Sequence, residues 1–342
     1  MLFIIGNGFD IAMGLKTSFR DFVNWYLSQK DETEDERVQK FKNKIQSDIE
    51  TDVHSWADLE IKLGEYTAEY KADEADDFLH VYWNLKEKLN EYIKYEENRQ
   101  ELLDLLALFP EVPQREMSKF LLGFYKEFPL LIKHDLDAVM GRHFGQLTYN
   151  FINFNFTSTL SKYLSCLPDP VLTCKIGHSP VECVCTLGDI LHIHGKVDDK
   201  LLTGVDSKEQ ICNEAFRQDM RILRALVKPL MNEQLQEHAE FRAHELINRS
   251  SVICVFGMSL GDSDISWWGK LGEWLMQSNT KRLIIFWYSD KPISPLFPDI
   301  RLTREDSVRK SFAKKAGFTD SDLSSVGGRI IVHIHHKIFD ME

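Results

Sequence analysis

No stretch of the 342-residue chain approaches the roughly 20 consecutive apolar residues that a helix needs to cross a bilayer. A basic segment ahead of a signal-like apolar run is also missing, so the chain is expected to be cytoplasmic and not membrane-bound. Positive charge is in deficit as well: 41 Lys and Arg stand against 53 Asp and Glu, a formal charge of -12. A duplex-binding surface has to neutralise phosphates, which makes nucleic acid a poor partner for such a chain. Cysteine is sparse, with 6 residues, and Cys166, Cys174, Cys183 and Cys185 crowd around His178 without any CxxC step. Reduced thiols are therefore expected rather than a zinc knot, and the cytoplasmic setting disfavours disulfides. Internal repeats and low-complexity tracts are absent.

The remaining composition, 43% hydrophobic and 27% charged, suits a sizeable core plus an insertion or second domain. Leu2-Phe3-Ile4-Ile5 is a short, continuously apolar run, the pattern of a strand buried on both faces of a parallel sheet. Gly6-Asn7-Gly8 comes at once after it and predicts a turn with left-handed backbone and close ligand approach, then a helix. Strand, glycine turn and helix together aim amide groups and a helix dipole at an anion such as a pyrophosphate. Neither familiar phosphate motif is complete. Ile11 stands where GxGxxG needs its third glycine, and the spacing to Gly14-Leu15-Lys16-Thr17 is wrong for a P-loop. A tight turn with no ligand fits the same residues.

Helical spacing then runs from Thr17 to Leu27, with Ser18 and Asp21 at its start. The charged run 30–52 reads as a solvated helix face or connection, and His54 to Glu60 begins another helix, Ser55 and Asp58 lying in capping-box relation. Apolar stripes such as Leu102, Leu103, Leu106 and Phe109, and the segment Phe120 to Leu131, continue the helical pattern to about residue 140. From residue 147 the character turns to β, a strand ending at Asn155 to Thr157. In an open α/β sheet the carboxyl ends of strands line the ligand crevice. Asn155 falls at such an end, where a ligand contact and a helix cap are equally in keeping with it.

Ile190 to Gly195 reads as a strand with His192 and His194 on one face. Such a pair serves as hydrogen-bonded core, as metal ligands with the His333, His335 and His336 strand, or as a general base. Val252 to Asp264 is a buried strand opening into a Gly/Ser/Asp turn, where Ser259, Asp262 and Asp264 can bond ribose hydroxyls or simply their own backbone. Strands at Arg282 to Tyr288 and Ile330 to Ile338 complete the sheet. The expected architecture is an α/β fold with a mostly parallel sheet flanked by helices, formed by 1–27 and 143–342. A large all-helical insertion, 28–142, comes after the first strand–helix unit.

The blocks GNGFDIAMGLKTSF, SWADLE, NFNFTSTL, HIHG, TGVDSKEQI and FGMSLGDSD, in this order along nearly the whole chain, resemble the AbiH (abortive infection H) family of bacteriophage-resistance proteins. That pattern is in turn similar to the sirtuin-like, Rossmann-like NAD-binding fold. The resemblance implies that Gly6, Asn7 and Gly8 hold the dinucleotide, with Asp10 close to the sugar or strengthening the helix start. Asn155 would position ribose or water and His194, with Gly195 after it, would be the base. Gly257 and Ser259 would meet the adenosine ribose, with Asp262 of the same turn a further cofactor contact on the reading of the residues alone. Thr157 stands where many relatives carry Asp, and the sirtuin zinc module with its two CxxC pairs is missing, so protein deacylation is not implied.

The same resemblance implies an antiphage abortive-infection effector that binds NAD as substrate, hydrolyses its nicotinamide–ribose bond and needs no metal. Its partners would be NAD or a related nucleotide, a second copy of itself, or a defence-system protein. Two other classes stay open: a non-catalytic nucleotide-sensing module, and a metal-dependent hydrolase or nuclease built on the His-rich strands.

Overall fold

The computed structural model describes every residue except 30–34, 52–57, 142–144, 168–171, 176–181, 236–237, 295, 337 and 340–342. Seven strands form one sheet: β1 (Leu2–Ile5), β2 (Gln146–Asn153), β3 (Leu172–Lys175), β4 (Glu182–His192), β5 (Val252–Phe256), β6 (Arg282–Tyr288) and β7 (Ile330–His335). Their order is β3-β4-β2-β1-β5-β6-β7. All neighbours are parallel except β3, which pairs antiparallel with β4 at one edge. Leaving β3 aside, the chain winds outward from β1 through β2 and β4, returns to β5 beside β1, and continues outward. This is the strand order of the Rossmann fold.

β1 is fully buried because both faces are covered, which is why its four residues carry no polar side chain. On one face Phe3 meets Phe120 at 5.2 Å and Phe151 at 5.6 Å between ring centroids. That core draws in the helices Gln100–Leu108, Glu111–Gly123 and Leu130–Met140. On the other face Leu2, Ile4 and Ile253 pack with Trp268 and Trp274 of the helix Ile265–Met276. Each aromatic or aliphatic side chain so buried contributes about 2–3 kcal/mol of transfer free energy. Leu130 and Leu131, at the end of the expected apolar segment, are exposed.

A third core gathers the helices Phe19–Ser28, Glu36–Thr51, Leu59–Tyr66 and Ala75–Glu97 with residues 201–227. Residues 28–142 thus contribute to two different cores, and the earlier helices share theirs with a later stretch of chain. The expected helix start at Ser55 lies outside the described residues. Asp58 is itself the cap at Leu59, accepting from the Ile61 amide at 3.2 Å. Among the described residues no helix is long and apolar enough to cross a membrane.

Parallel register fixes the level of the strand ends. Ile5 pairs with Asn153 and with Phe256, and Asn153 pairs with His192. The loops after β1, β2, β4 and β5 therefore leave the sheet side by side, at the edge where α/β folds place ligands. β2 stops at Asn153, two residues before the expected end, and from Tyr149 onward is buried without alternation because it too lies inside the sheet. β7 ends at His335, short of Ile338.

Candidate functional site

The opening turn is built by three glycines meeting across β1 and β5. The Gly6 amide donates to Phe256 O and the Gly8 amide to Gly257 O, both at 2.9 Å. A Cβ on Gly6 would stand 2.7 Å from Gly257 O, one on Gly8 would stand 2.6 Å from Gly257 Cα, and one on Gly257 would stand 2.7 Å from Phe9 N. Only Gly257 of the three has positive φ, at 72°, while Asn7 is right-handed with φ -60°. The left-handed turn expected at Gly6 to Gly8 is therefore corrected: these residues are glycine so that two turns can touch. The side chain of Asn7 is held by Thr17, donating to its carbonyl at 2.8 Å and accepting from its hydroxyl at 2.6 Å. In the β5 loop Ser259 is exposed, and Asp262 pairs with Lys315 while its carbonyl takes Gln210 Nε2 at 2.9 Å.

On the β2 side of β1 the side chains behave differently. Asp10, in the short helix Gly8–Ala12, is 1% exposed, and its Oδ2 accepts from the Thr157 hydroxyl at 2.7 Å. Among the described residues its Oδ1 has no hydrogen-bond partner, nor do Asn153 Nδ2, both amide atoms of Asn155, Thr159 Oγ1 or Tyr163 OH. All five residues are buried, Asn155 at 4% exposure being the least so. Buried polar groups ordinarily find partners, so a run of orphaned atoms around one carboxylate marks a place for water or a ligand. Burial pushes the Asp10 carboxyl up to about 7 from an ordinary 3.8, against the opposing pull of the Thr157 hydroxyl and of the Asn155 amide, which lies near without hydrogen-bond geometry. Thr157 presents to Asp10 the hydroxyl that anchors this carboxylate. The neighbouring Ser158 is clamped by Glu97, which also takes Lys162 Nζ at 2.8 Å.

His194 is not in a strand. β4 ends at His192, and the chain bends through Gly195, whose φ is 75°. The two histidines part company there, since a bend replaces the strand pleat that would have put them on one face. His192 Nδ1 lies 3.4 Å from Asn155 O, and burial lowers its basicity. His194, 5% exposed, sits edge-on to Phe154 at 5.0 Å with its Nε2 3.2 Å from Asp264 Oδ1. Lys228 Nζ lies 2.8 Å from that same Oδ1 and 2.9 Å from Glu60 Oε2, and Glu60 Oε1 accepts the Gly204 amide at 3.0 Å. Burial opposes the charge on Asp264, but Lys228 and His194 outweigh it and hold the carboxyl well below its usual range. Burial likewise opposes the Lys228 ammonium, which Asp264 and Glu60 together keep firmly protonated.

The segments after three strands thus bring Asp10, Asn155 and His194 to one edge of the sheet, with His192 reaching the Asn155 carbonyl and His194 turned to Asp264. Glu60 and Lys228 were missed from sequence. Glu60 is the last residue of SWADLE, which read only as a helix start, and it lies in the first turn of the helix Leu59–Tyr66. Lys228, beside Pro229, carried none. The His-rich end of β7 packs on aromatics, His333 against Phe128 at 5.0 Å and His335 against Phe256 at 5.6 Å. Among the described residues no three His, Cys, Asp or Glu side chains gather as a metal site. Cys183 and Cys185 are buried on β4, whereas His178 lies outside the described residues.

Comparison with known families finds a match. The family model described as bacteriophage abortive infection AbiH covers residues 2–287. No curated protein matches the chain.

Proposed function

The chain belongs to the AbiH family, which suggests a role in abortive infection by bacteriophage, and from that premise we propose an antiphage effector that binds NAD and hydrolyses its nicotinamide–ribose bond. The observation that supports this reading is the set of unpartnered buried polar atoms around Asp10 and Asn155, at the carboxyl ends of β1 and β2. Hydroxyl, amide and carboxylate groups without a competing cation suit a ribose and its cationic nicotinamide better than a phosphate.

The chemistry asks little of an acid. The bond from ribose C1′ to the nicotinamide nitrogen breaks with its electron pair leaving on a neutral nicotinamide, through an oxocarbenium-like state. Asp10, ionised beside that cationic centre, would stabilise the developing charge, and the cation would in turn draw the carboxyl back toward its ionised form. Asn155 would orient a ribose hydroxyl or the attacking water. As the water oxygen bonds to C1′, His194 would take its proton. Ser259, with its exposed hydroxyl, and Gly195, at its bend, would border the rest of the dinucleotide. Gly6, Asn7, Gly8, Gly257 and Asp262 would shape the turns beneath it.

Burial of Asp10, Asn155 and His194 closes the site. Entry of a dinucleotide requires the loops held by Glu97 and Ser158 to part. A protein that destroys a central cofactor has to be silent until infection, and a closed resting site is a physical means to that end. The test is nicotinamide release from NAD by the purified full-length protein, alone and with phage-infected lysate, measured by chromatography. Release by wild type and its loss in Asn155→Ala support the reading; NAD neither bound nor consumed under any trigger removes it. The closed site also favours a second reading, a nucleotide sensor that signals without turnover. Protection by His194→Ala equal to wild type would select it.

A further inference from the structure

Asp264 Oδ1 faces two nitrogens at once, Lys228 Nζ at 2.8 Å and His194 Nε2 at 3.2 Å. An ionised carboxylate oxygen is an acceptor only. At that distance it repels a lone pair on the ring nitrogen and attracts an N–H. No described residue hydrogen-bonds the other ring nitrogen, Nδ1. Lys228 is itself held in place from the far side by Glu60. We propose that Asp264, Lys228 and Glu60 are positioning residues for His194: they fix its proton on Nε2 and leave Nδ1 as the basic atom. This rests on the reading of His194 as base only in giving Nδ1 its task.

The charges around the ring agree with that assignment. Facing it are the carboxylates of Asp264 and Glu60 and the single ammonium of Lys228, with Asp206 and Asp58 beyond them acting on Lys228 and Glu60. Burial pushes the Glu60 carboxyl up while Lys228 pulls it down, so the ionised acceptor that the ring nitrogen meets is Asp264. The origins of the residues matter as well. Asp264 comes after β5, Lys228 begins the helix Lys228–Gln234, and Glu60 comes from the helix Leu59–Tyr66 in the third core. His194 is therefore set only while that helical body is seated against the sheet loops.

The tautomer can be read directly on the full-length protein. With histidine as the only ¹⁵N-labelled residue, long-range proton–nitrogen spectra separate Nε2–H from Nδ1–H forms, and His194→Gln identifies the signal among the 12 histidines. The expected result is the Nε2–H form in at least about tenfold excess in wild type, lost to a mixture or to the Nδ1–H form in Asp264→Asn. An Nδ1–H wild type, or a folded Asp264→Asn with the tautomer unmoved, overturns the proposal; the wild-type spectrum decides it even if the variant does not fold. The outcome is separable from the hydrolase reading. Inert NAD with an Nε2–H His194 removes only that reading, and nicotinamide release with an Nδ1–H His194 removes only this one.

Discussion

On the β5 side of β1, the Gly6 and Gly8 amides have carbonyl partners and the buried charges of Glu60, Lys228 and Asp264 are paired, whereas on the β2 side Asp10 and Asn155 are buried with atoms left bare. Both regions lie at the carboxyl ends of the same strands. In the first, the turn amides and the three buried charges find partners within the fold. The second keeps desolvated groups unsatisfied, which only a bound molecule or water relieves. Substitutions on the two sides should therefore differ in stability, the paired charges losing it and the bare groups losing little or gaining.

The largest effect is expected from Lys228→Met. It leaves Glu60 and Asp264 buried without their cation and should cost about 3–5 kcal/mol in equilibrium denaturation. Asp10→Asn should do the reverse. The ordinary carboxyl ionises near 3.8 and the folded one near 7, so the folded state holds a proton that the unfolded state has lost between these values. Wild-type stability contributed by Asp10 therefore falls as pH rises through that window and stays low above it. Asp10→Asn removes the fall and should be more stable than wild type at pH 8 by up to about 4 kcal/mol, with no such gain near pH 4, as urea melts at both pH values would show.

Gly257→Ala forces a Cβ against Phe9 N at a left-handed position and should cost about 3 kcal/mol, read as a lowered melting temperature. The smallest stability change belongs to Asn155→Ala, within about 1 kcal/mol, because no hydrogen bond is lost. The hydrolase reading gives this same variant about a hundredfold loss of nicotinamide release. A large destabilisation by Asn155→Ala, or a neutral Lys228→Met, would break the contrast between the two sides.

The sheet was legible because buried parallel strands are written as apolar runs: β1, β5 and β6 stand where Leu2–Ile5, Val252 and Arg282–Tyr288 place them. The order of the glycine turn, NFNF, HIHG and GMSLGDSD blocks also located the edge where the loops meet. Local pattern failed where tertiary contact decides. Gly6 to Gly8 read as a left-handed turn because sequence cannot show that Gly257 fills the space beside them. The HxH pair read as one strand face because the bend at Gly195 is imposed by its approach to the Lys200 backbone. Glu60 and Lys228 lie 168 positions apart, and nothing local joins them.

If the unpartnered polar atoms beside β1 mark a reacting site for NAD, the cofactor itself should report it in living cells. The decisive measurement is cellular NAD in strains expressing wild type, Asn155→Ala or His194→Ala, before and after phage challenge. A fall in NAD after challenge is expected with wild type alone. NAD unchanged in all strains while wild type still protects would contradict the NAD site.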